Sequence, residues 1–294
     1  MAQIDISVVL PVYEDQDNLD RILSELLANA PGDNWEVIVV DDGSPKPLEL
    51  ISRAPDNFKL YRNETRRGAA SARNAGVKQA RGEFLVLLSV FLKLPENYIS
   101  QVMDFIKNHR FDVAQHLVKK AVDIKGDHFQ VFLANQSGRL PAKAGKLRVK
   151  NTVFTAAILK KEVFSKLGGF DESMNHYGGH ELDLAYRLDQ QGYSSRIIVD
   201  NLPLERVKLE SHIRIRARLQ EYGKVGLPAL LKKHPELNKT ILLYPFIWSL
   251  LKLIDLPKSM ERQFKRRIEQ NLKLTRTQYR LYLHLIMRNA WDAR

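Results

Sequence analysis

The chain has no cysteine among its 294 residues. That excludes disulfides, thiolate metal clusters and a thiol nucleophile, and it suits a reducing compartment. No stretch reaches the roughly 18 consecutive apolar residues that a membrane-spanning helix needs. The most apolar part of the tail, ILLYPFIWSLLKLIDLP (241–257), is too short and too interrupted. The opening MAQIDISVVLPVYED has no basic leader before its apolar run, so it reads as a strand rather than a signal peptide. No zinc-finger, RNP or helix-turn-helix pattern accompanies the basic residues, so nucleic acid is not an expected partner.

Acidic residues are scarce in one region only. Residues 205–294 hold 20 Lys and Arg against 8 Asp and Glu, and this is the whole net charge of +12; residues 1–204 hold 26 of each. The chain therefore divides, on charge, into a neutral body (1–204) and a basic extension (205–294). The excess favours anionic partners such as phospholipid or a lipid-linked pyrophosphate. Apolar and charged fractions of 44% and 27% are those of a soluble globular protein.

The body alternates between apolar strands and helical patterns. IDISVVLP, WEVIVVDDGS, FKLYRN and EFLVLLS read as strands; NLDRILSELLANA, PLELISRA and the alanine-rich GAASARNAGVKQARG read as helices. FDVAQHLVKKAVDIKGDHFQVFL suggests two strands around a Gly-Asp turn. ANQSGRLPAKAGKLRVKNT reads as a basic loop, either ordinary surface or a flap that closes over a phosphate. Strand–helix repetition argues for an α/β sheet with helices on both faces. Ligands in such sheets sit at the carboxyl ends of the strands, which here carry Pro11–Glu14, Asp41–Ser44 and Ser89–Phe91.

Each of these residues has two readings. Asp41 and Asp42 can be turn-capping acids or carboxylates for a ribose hydroxyl or a base N–H. The Arg73-Asn74 pair can be a solvated helix face or a core-edge hydrogen bond, or Arg73 can meet a diphosphate or order the nucleotide loop.

VVLPVYED, EVIVVDDGSP, GAASARNAGVKQARGEFLVLL and GGFDESMNHYGGHELDLAYRLDQQGY, in this order and spacing, resemble the family-2 inverting glycosyltransferases of GT-A fold, over about residues 4–199. The resemblance implies a nucleotide-diphospho-sugar transferase fold, Rossmann-like, with a mixed sheet flanked by helices and a C-terminal helical extension. It implies a nucleotide-sugar donor, usually UDP-linked, and a glycan or lipid-linked acceptor. By motif matching, Pro11, Tyr13 and Glu14 fall at the nucleotide-binding first loop, Asp42 where the uracil or ribose is held, and Arg73 beside the nucleotide.

Two departures stand out. Where the family reads Asp-x-Asp and binds a divalent cation, Mn²⁺ or Mg²⁺, this chain has Ser89-Val90-Phe91. No cofactor is therefore certain, and the usual metal site is missing at that place. Where the family reads Glu-Asp, this chain has His180-Glu181, followed by Asp183 at the family's next acid. Glu181 is still a carboxylate and can act as the general base, its reach changed by about one C–C bond. Asp183 is the second catalytic candidate; both acids can instead be helix-start residues. His180 is a candidate for a phosphate or acceptor contact. His176, His180 and Glu181 could hold a metal in place of the missing pair, although two histidines are a weak signal. Lys93, Arg66, Arg67 and Arg73 are candidate cations for the leaving diphosphate, and Lys93 is equally readable as a surface lysine.

The tail RIRARLQEYGKVGLPALLKKHPELN reads as two short helices broken by Gly and Pro, followed by basic amphipathic helices. Such helices fit a protein lying on an anionic membrane surface, at the cytoplasmic side of the plasma membrane. They could also pair two copies of the chain. The expected activity is transfer of a sugar to a surface polysaccharide or lipid-linked glycan. The alternative is an inactive relative that binds a partner enzyme or a glycan.

Overall fold

The computed structural model describes residues 4–28, 32, 34–116, 118–119, 127–137, 153–174, 178–198, 204–207, 211–237 and 255–293. They form two compact units. The first comprises Met1–Ala121, Ser137–Asn175 and His180–Lys208; the second comprises Val122–Gln136, His176–Gly179 and Leu209–Arg294. The expected division at 204/205 treats the chain as two consecutive stretches. The contacts instead give residues 122–136 and 176–179 to the second unit.

The elements follow in chain order. They are β1 (Ile6–Val12), α1 (Gln16–Leu27), β2 (Trp35–Asp41), β3 (Phe58–Arg62), α2 (Ala69–Gln79), β4 (Phe84–Leu88), β5 (Leu92–Lys93) and α3 (Tyr98–Asn108). Next come β6 (Val113–His116), β7 (Val118–Lys119), α4 (His128–Ser137), β8 (Ala156–Lys160), α5 (Lys161–Lys166), α6 (His180–Gln190), β9 (Ser195–Ile198) and β10 (Leu204–Arg206). The chain ends with α7 (His212–Glu221), α8 (Leu227–Lys233), α9 (Leu256–Glu269) and α10 (Arg276–Asp292).

The first unit is built on a seven-stranded mixed sheet in the order β3-β2-β1-β4-β8-β6-β9. β1 to β4 run parallel, with Val12 of β1 opposite Asp41 of β2, while β8 is antiparallel to both β4 and β6. The apolar runs are continuous because both faces are covered. Val8, Leu10, Val37 and Val39 point into one core, and Val9, Ile38 and Val40 into the other. Each such side chain stabilises the fold by about 1.5–3 kcal/mol when fully buried. A second sheet, β5-β10-β7, sets Glu205 opposite Lys93.

Small residues let α2 lie close to the sheet. A Cβ at Gly76 would meet Val9 Cγ1 at 2.5 Å and Val40 Cγ2 at 3.2 Å. The close approach buries Arg73 on the same helix. At the opposite end, buried Glu36 accepts from Ser7 Oγ, the Arg81 N–H and Arg81 Nε, which joins β1, β2 and the entry to β4.

Three expected elements differ. PLELISRA is not a helix, because side chains take its backbone groups. Leu48 N–H donates to Asp41 Oδ2 and Glu49 N–H to Gln16 Oε1. The second strand expected after the Gly-Asp turn is α4 instead. Asp127 caps it by accepting from Gln130 N–H, and Phe129, Phe132 and Leu133 pack at helical spacing into the second unit's core. RIRARLQEYGKVGLPALLKK is unbroken, since a π-helical turn (Tyr222–Gly226) joins α7 to α8. Gly223 serves close packing there, because a Cβ would lie 2.1 Å from the Met287 carbonyl oxygen. The expected basic flap lies almost entirely outside the described residues, as do His176 and most of 241–257.

In the second unit α9 and α10 bury Phe264, Ile268, Tyr279, Tyr282 and Leu285 against Phe129 and Phe132. Glu261 is buried but satisfied, with Oε1 accepting from Arg216 and Oε2 from Asn289. Thr275 and Gln278 form a capping box at the start of α10.

Candidate active site

β1, β2 and β4 end on the same side of the sheet, and the candidate residues collect there and on the adjoining helices. The first loop is held by the second. Glu14 has a left-handed backbone, φ +51, and its N–H donates to Ser44 Oγ. Ser44 N–H in turn donates to Asp41. Burial alone would push the Asp41 carboxyl up, but the Ser44 side chain and N–H, the Leu48 N–H and the Arg62 guanidinium outweigh it and hold the group below its ordinary range. Pro11 lies within β1, and the half-buried Tyr13 ring carries the Arg66 guanidinium 4.1 Å from its centroid.

Asp42 is buried and fully engaged. Its Oδ1 accepts from Asn63 Nδ2 and Arg67 N–H, and its Oδ2 from Gly68 N–H. It thereby shapes the 63–68 loop that opens α2.

Arg73 and Asn74 work as a pair. Asn74 bonds the Phe170 backbone in both directions, donating to its carbonyl (2.8 Å) and accepting from its N–H (3.0 Å). The GGF sequence is needed for this. Gly169 has φ +71, and a Cβ there would lie 2.8 Å from Asn74 Oδ1. Arg73, with only 5% of its side chain exposed, lies over the Phe170 ring and donates from Nη1 to Glu181 Oε1 at 3.1 Å. The same nitrogen sits 3.3 Å from His180 Nε2. A guanidinium only donates, so Nε2 accepts and the neutral ring carries its proton on Nδ1. Burial holds the His180 pKa below the ordinary histidine value; Arg73 adds to this, against the pull of Glu181 and Asp183. Glu181 is a quarter exposed at its side chain.

Asp183 has a different environment. It has no exposed surface, and its Oδ2 accepts from Arg187 Nε (2.9 Å) and Nη2 (2.6 Å). Arg187 also donates to the Leu167 and Gly169 carbonyls. The pair fastens α6 to the glycine turn that Asn74 uses.

Ser89 and Phe91 form a tight turn. Leu92 N–H donates to the Ser89 carbonyl and Phe91 N–H to Ser89 Oγ, while the Phe91 ring packs on the core. Arg21 of α1 grips this turn from below, donating to the Val90 (2.6 Å) and Leu92 (3.1 Å) carbonyls. Glu25 accepts from Leu94 N–H. A divalent cation does not fit here, since the turn offers one neutral side-chain oxygen and no carboxylate, and its Ser89, Val90 and Leu92 carbonyls already accept hydrogen bonds. Among the described residues no group of three or more His, Cys, Asp or Glu could hold a metal. Lys93 is exposed on β5 and makes no ion pair among the described residues.

Arg73, His180 and Glu181 are thus brought together, as are Tyr13 with Arg66 and Asp42 with the 63–68 loop. Arg67 pairs with Glu172, which also accepts from Asn74, so the two groups are joined by ion pair and hydrogen bond. Sequence reasoning missed Arg187, Arg21 and Glu25, and it read Asn74 only as half of an Arg-Asn pair with a core-edge hydrogen bond, the bond the structure shows to Phe170. The only sequence signals for them were the Arg-Asn dipeptide and the four-residue spacings of Arg21 with Glu25 and Asp183 with Arg187.

The model of the family described as "Glycosyl transferase family 2" matches residues 7–168, more than half of the chain, and the chain belongs to that family. The dolichol-phosphate mannosyltransferase of Pyrococcus furiosus is 34% identical over 108 residues, covering 35% of this chain and 30% of that protein. Glycosyltransferase AglE of Haloferax volcanii is 24% identical over 195 residues, covering 64% and 62%. The chain thus spans less than two thirds of the length of either relative. The crystal structure of S. aureus TarS 1-349 in complex with UDP-GlcNAc superposes with a TM-score of 0.52 at 16% identity, over 99% of this chain and 91% of that one. At that identity the likeness shows the fold, a GT-A-type mixed sheet flanked by helices.

Proposed function

We propose that the protein transfers a sugar from a UDP-linked donor to a hydroxyl of a glycan or lipid-linked acceptor, with inversion at the anomeric carbon. The observation that carries this reading is the Arg73–His180–Glu181 contact, which joins the alanine-rich helix to the first turn of α6. A partly exposed carboxylate beside a buried cation is the arrangement a general base needs. One oxygen is oriented by Arg73, and the other is available to an acceptor proton. Glu181 takes that proton as the hydroxyl attacks the anomeric carbon from the face opposite the nucleotide. The C–O bond to the diphosphate breaks, and the electron pair leaves with the phosphate. Asp183 positions α6 and does not meet substrate, because its carboxylate is wholly buried on Arg187. Asp42 positions the loop behind the nucleotide. The leaving charge is met by side-chain cations, Arg66, Arg67, Arg73 and Lys93.

Titration calorimetry with UDP and GDP, each with Mn²⁺ and with EDTA, tests this. UDP binding is expected to survive EDTA, and Lys93→Ala and Arg73→Ala are each expected to weaken it about tenfold, as loss of a charged hydrogen bond does. Binding that needs Mn²⁺ overturns the side-chain-cation account. No nucleotide binding under any condition favours the inactive-relative reading, which the acid-free Ser89–Phe91 turn also supports.

The acceptor reading includes an anionic membrane surface. No helix among the described residues is long and apolar enough to cross a membrane. α9 exposes Lys258, Arg262 and Arg266 four residues apart on one face, while Pro257, Glu261, Phe264 and Ile268 are buried. The protein is expected to sediment with vesicles containing phosphatidylglycerol and to release at high salt, since surface attraction is screened within about 3 Å at 1 M. Equal sedimentation with neutral vesicles would refute an electrostatic surface.

A further inference from the structure

The Arg66–Tyr13 contact has a property that the donor reading does not use. Both partners stand on backbone held by hydrogen bonds or close packing. Tyr13 is followed by the left-handed Glu14, pinned through its N–H to Ser44. Arg66 follows Thr65, and both pack against Gly43, where a Cβ would lie 2.5 Å from Arg66 N and from the Thr65 carbonyl carbon. The next two backbone N–H groups, of Arg67 and Gly68, are held by the Asp42 carboxylate. The Arg66 side chain is exposed and long, and it ends in a flat cation lying 4.1 Å above a half-buried aromatic ring.

We infer that Arg66 is a base-displaced phosphate clamp that sets the preference for nucleoside diphosphate over nucleoside. This rests on the nucleotide-donor reading. The exposed face of Tyr13 is the one large aromatic surface presented by the first loop, and a planar nucleobase needs the same face that the guanidinium now covers. The two planes cannot share it, so a base that stacks on Tyr13 drives Arg66 off. The released guanidinium is still tethered beside the site. Its planar fork suits the paired oxygens of a diphosphate, with which it forms charge-assisted bonds. An uncharged nucleoside breaks the cation–π contact and gives nothing back. A nucleoside diphosphate breaks the same contact and replaces it with a stronger one. The ligand-free protein keeps its clamp folded against the base position, and only a ligand with both parts exchanges one contact for the other.

The test is calorimetric titration with uridine and with UDP in EDTA, on wild type, Arg66→Ala and Arg66→Lys, with guanosine and GDP as a parallel pair. In Arg66→Ala uridine is expected to bind about twofold to fivefold more tightly, since an exposed cation–π contact no longer competes. UDP is expected to bind about tenfold more weakly, since a charged hydrogen bond is lost. Arg66→Lys keeps the charge but loses the planar stack and the fork, so both the gain for uridine and the loss for UDP should fall between wild type and Arg66→Ala. Unchanged uridine affinity in both variants overturns the inference. So does an equal loss for UDP and uridine, which would make Arg66 a support of the loop. Wild type that binds neither nucleoside nor nucleotide overturns the donor reading itself, and this inference with it. Arg66 is exposed, so both variants should melt with the wild type; if Arg66→Ala does not, the Arg66→Lys comparison decides.

Discussion

Glu181→Gln is expected to reduce sugar transfer by about 10²–10⁴-fold, the usual contribution of a positioned general base. UDP affinity should stay within about threefold, because glutamine still presents an oxygen to Arg73 and the salt bridge is partly exposed. The measurement is UDP release from whichever UDP-sugar the wild type consumes, alongside calorimetry of UDP binding. Glu181→Asp is the sharper variant. It keeps the carboxylate but draws it back by one C–C bond, from both Arg73 and the acceptor. A displacement of that size costs about 10²-fold when chemistry depends on alignment, so the aspartate variant should lie near the glutamine one in rate while retaining a basic group. Wild-type turnover in Glu181→Gln would remove Glu181 from the chemistry. Lost turnover together with lost UDP binding would mean that the residue holds Arg73 in place and does no proton transfer.

Asp183→Ala is expected to destabilise the first unit by about 3 kcal/mol, the low end for a broken buried pair, because the part-buried Arg187 guanidinium keeps its two carbonyl partners. That corresponds to a fall of about 10 °C in Tm for a unit of this size. Arg187→Met should also destabilise, because it removes the guanidinium that bonds the buried Asp183 carboxylate twice. The double variant Asp183→Leu/Arg187→Met should recover much of the loss, since an ion pair replaced by apolar groups is often neutral. Thermal melts of the three proteins check this. If Asp183→Ala melted with the wild type yet lost all turnover, the buried carboxylate would belong to the chemistry after all.

Much of the fold was legible because the strands are short apolar runs ending in turn residues, and the α2 and α6 motifs are distinctive in order and spacing. Elements whose backbone bonds go to distant side chains were not legible. Leu48 and Glu49 look like a helix start until Asp41 and Gln16 are placed beside them. The α4 sequence HFQVF has strand-like composition, and its capping by Asp127 and docking of Phe129 and Phe132 are tertiary facts. In the site, the residue types at Glu181 and Arg73 were readable, and their contact was not. Asp183 shows the limit: its place in a motif says nothing about whether it is accessible, which is decided by an arginine four residues later and by the turn at Leu167–Gly169.

The Arg21 grip on the Ser89–Leu92 turn bears on how such a chain can change over time. Arg21 and Glu25 hold that turn through its main chain, at the Val90 and Leu92 carbonyls and the Leu94 N–H. The turn is therefore anchored from α1 through its main chain, in addition to the Ser89 Oγ bond and the packing of the Phe91 ring. Substitutions at 89 and 91 leave these three anchoring bonds in place. Which side chains stand at that place is a matter separable from the anchorage that α1 gives the turn.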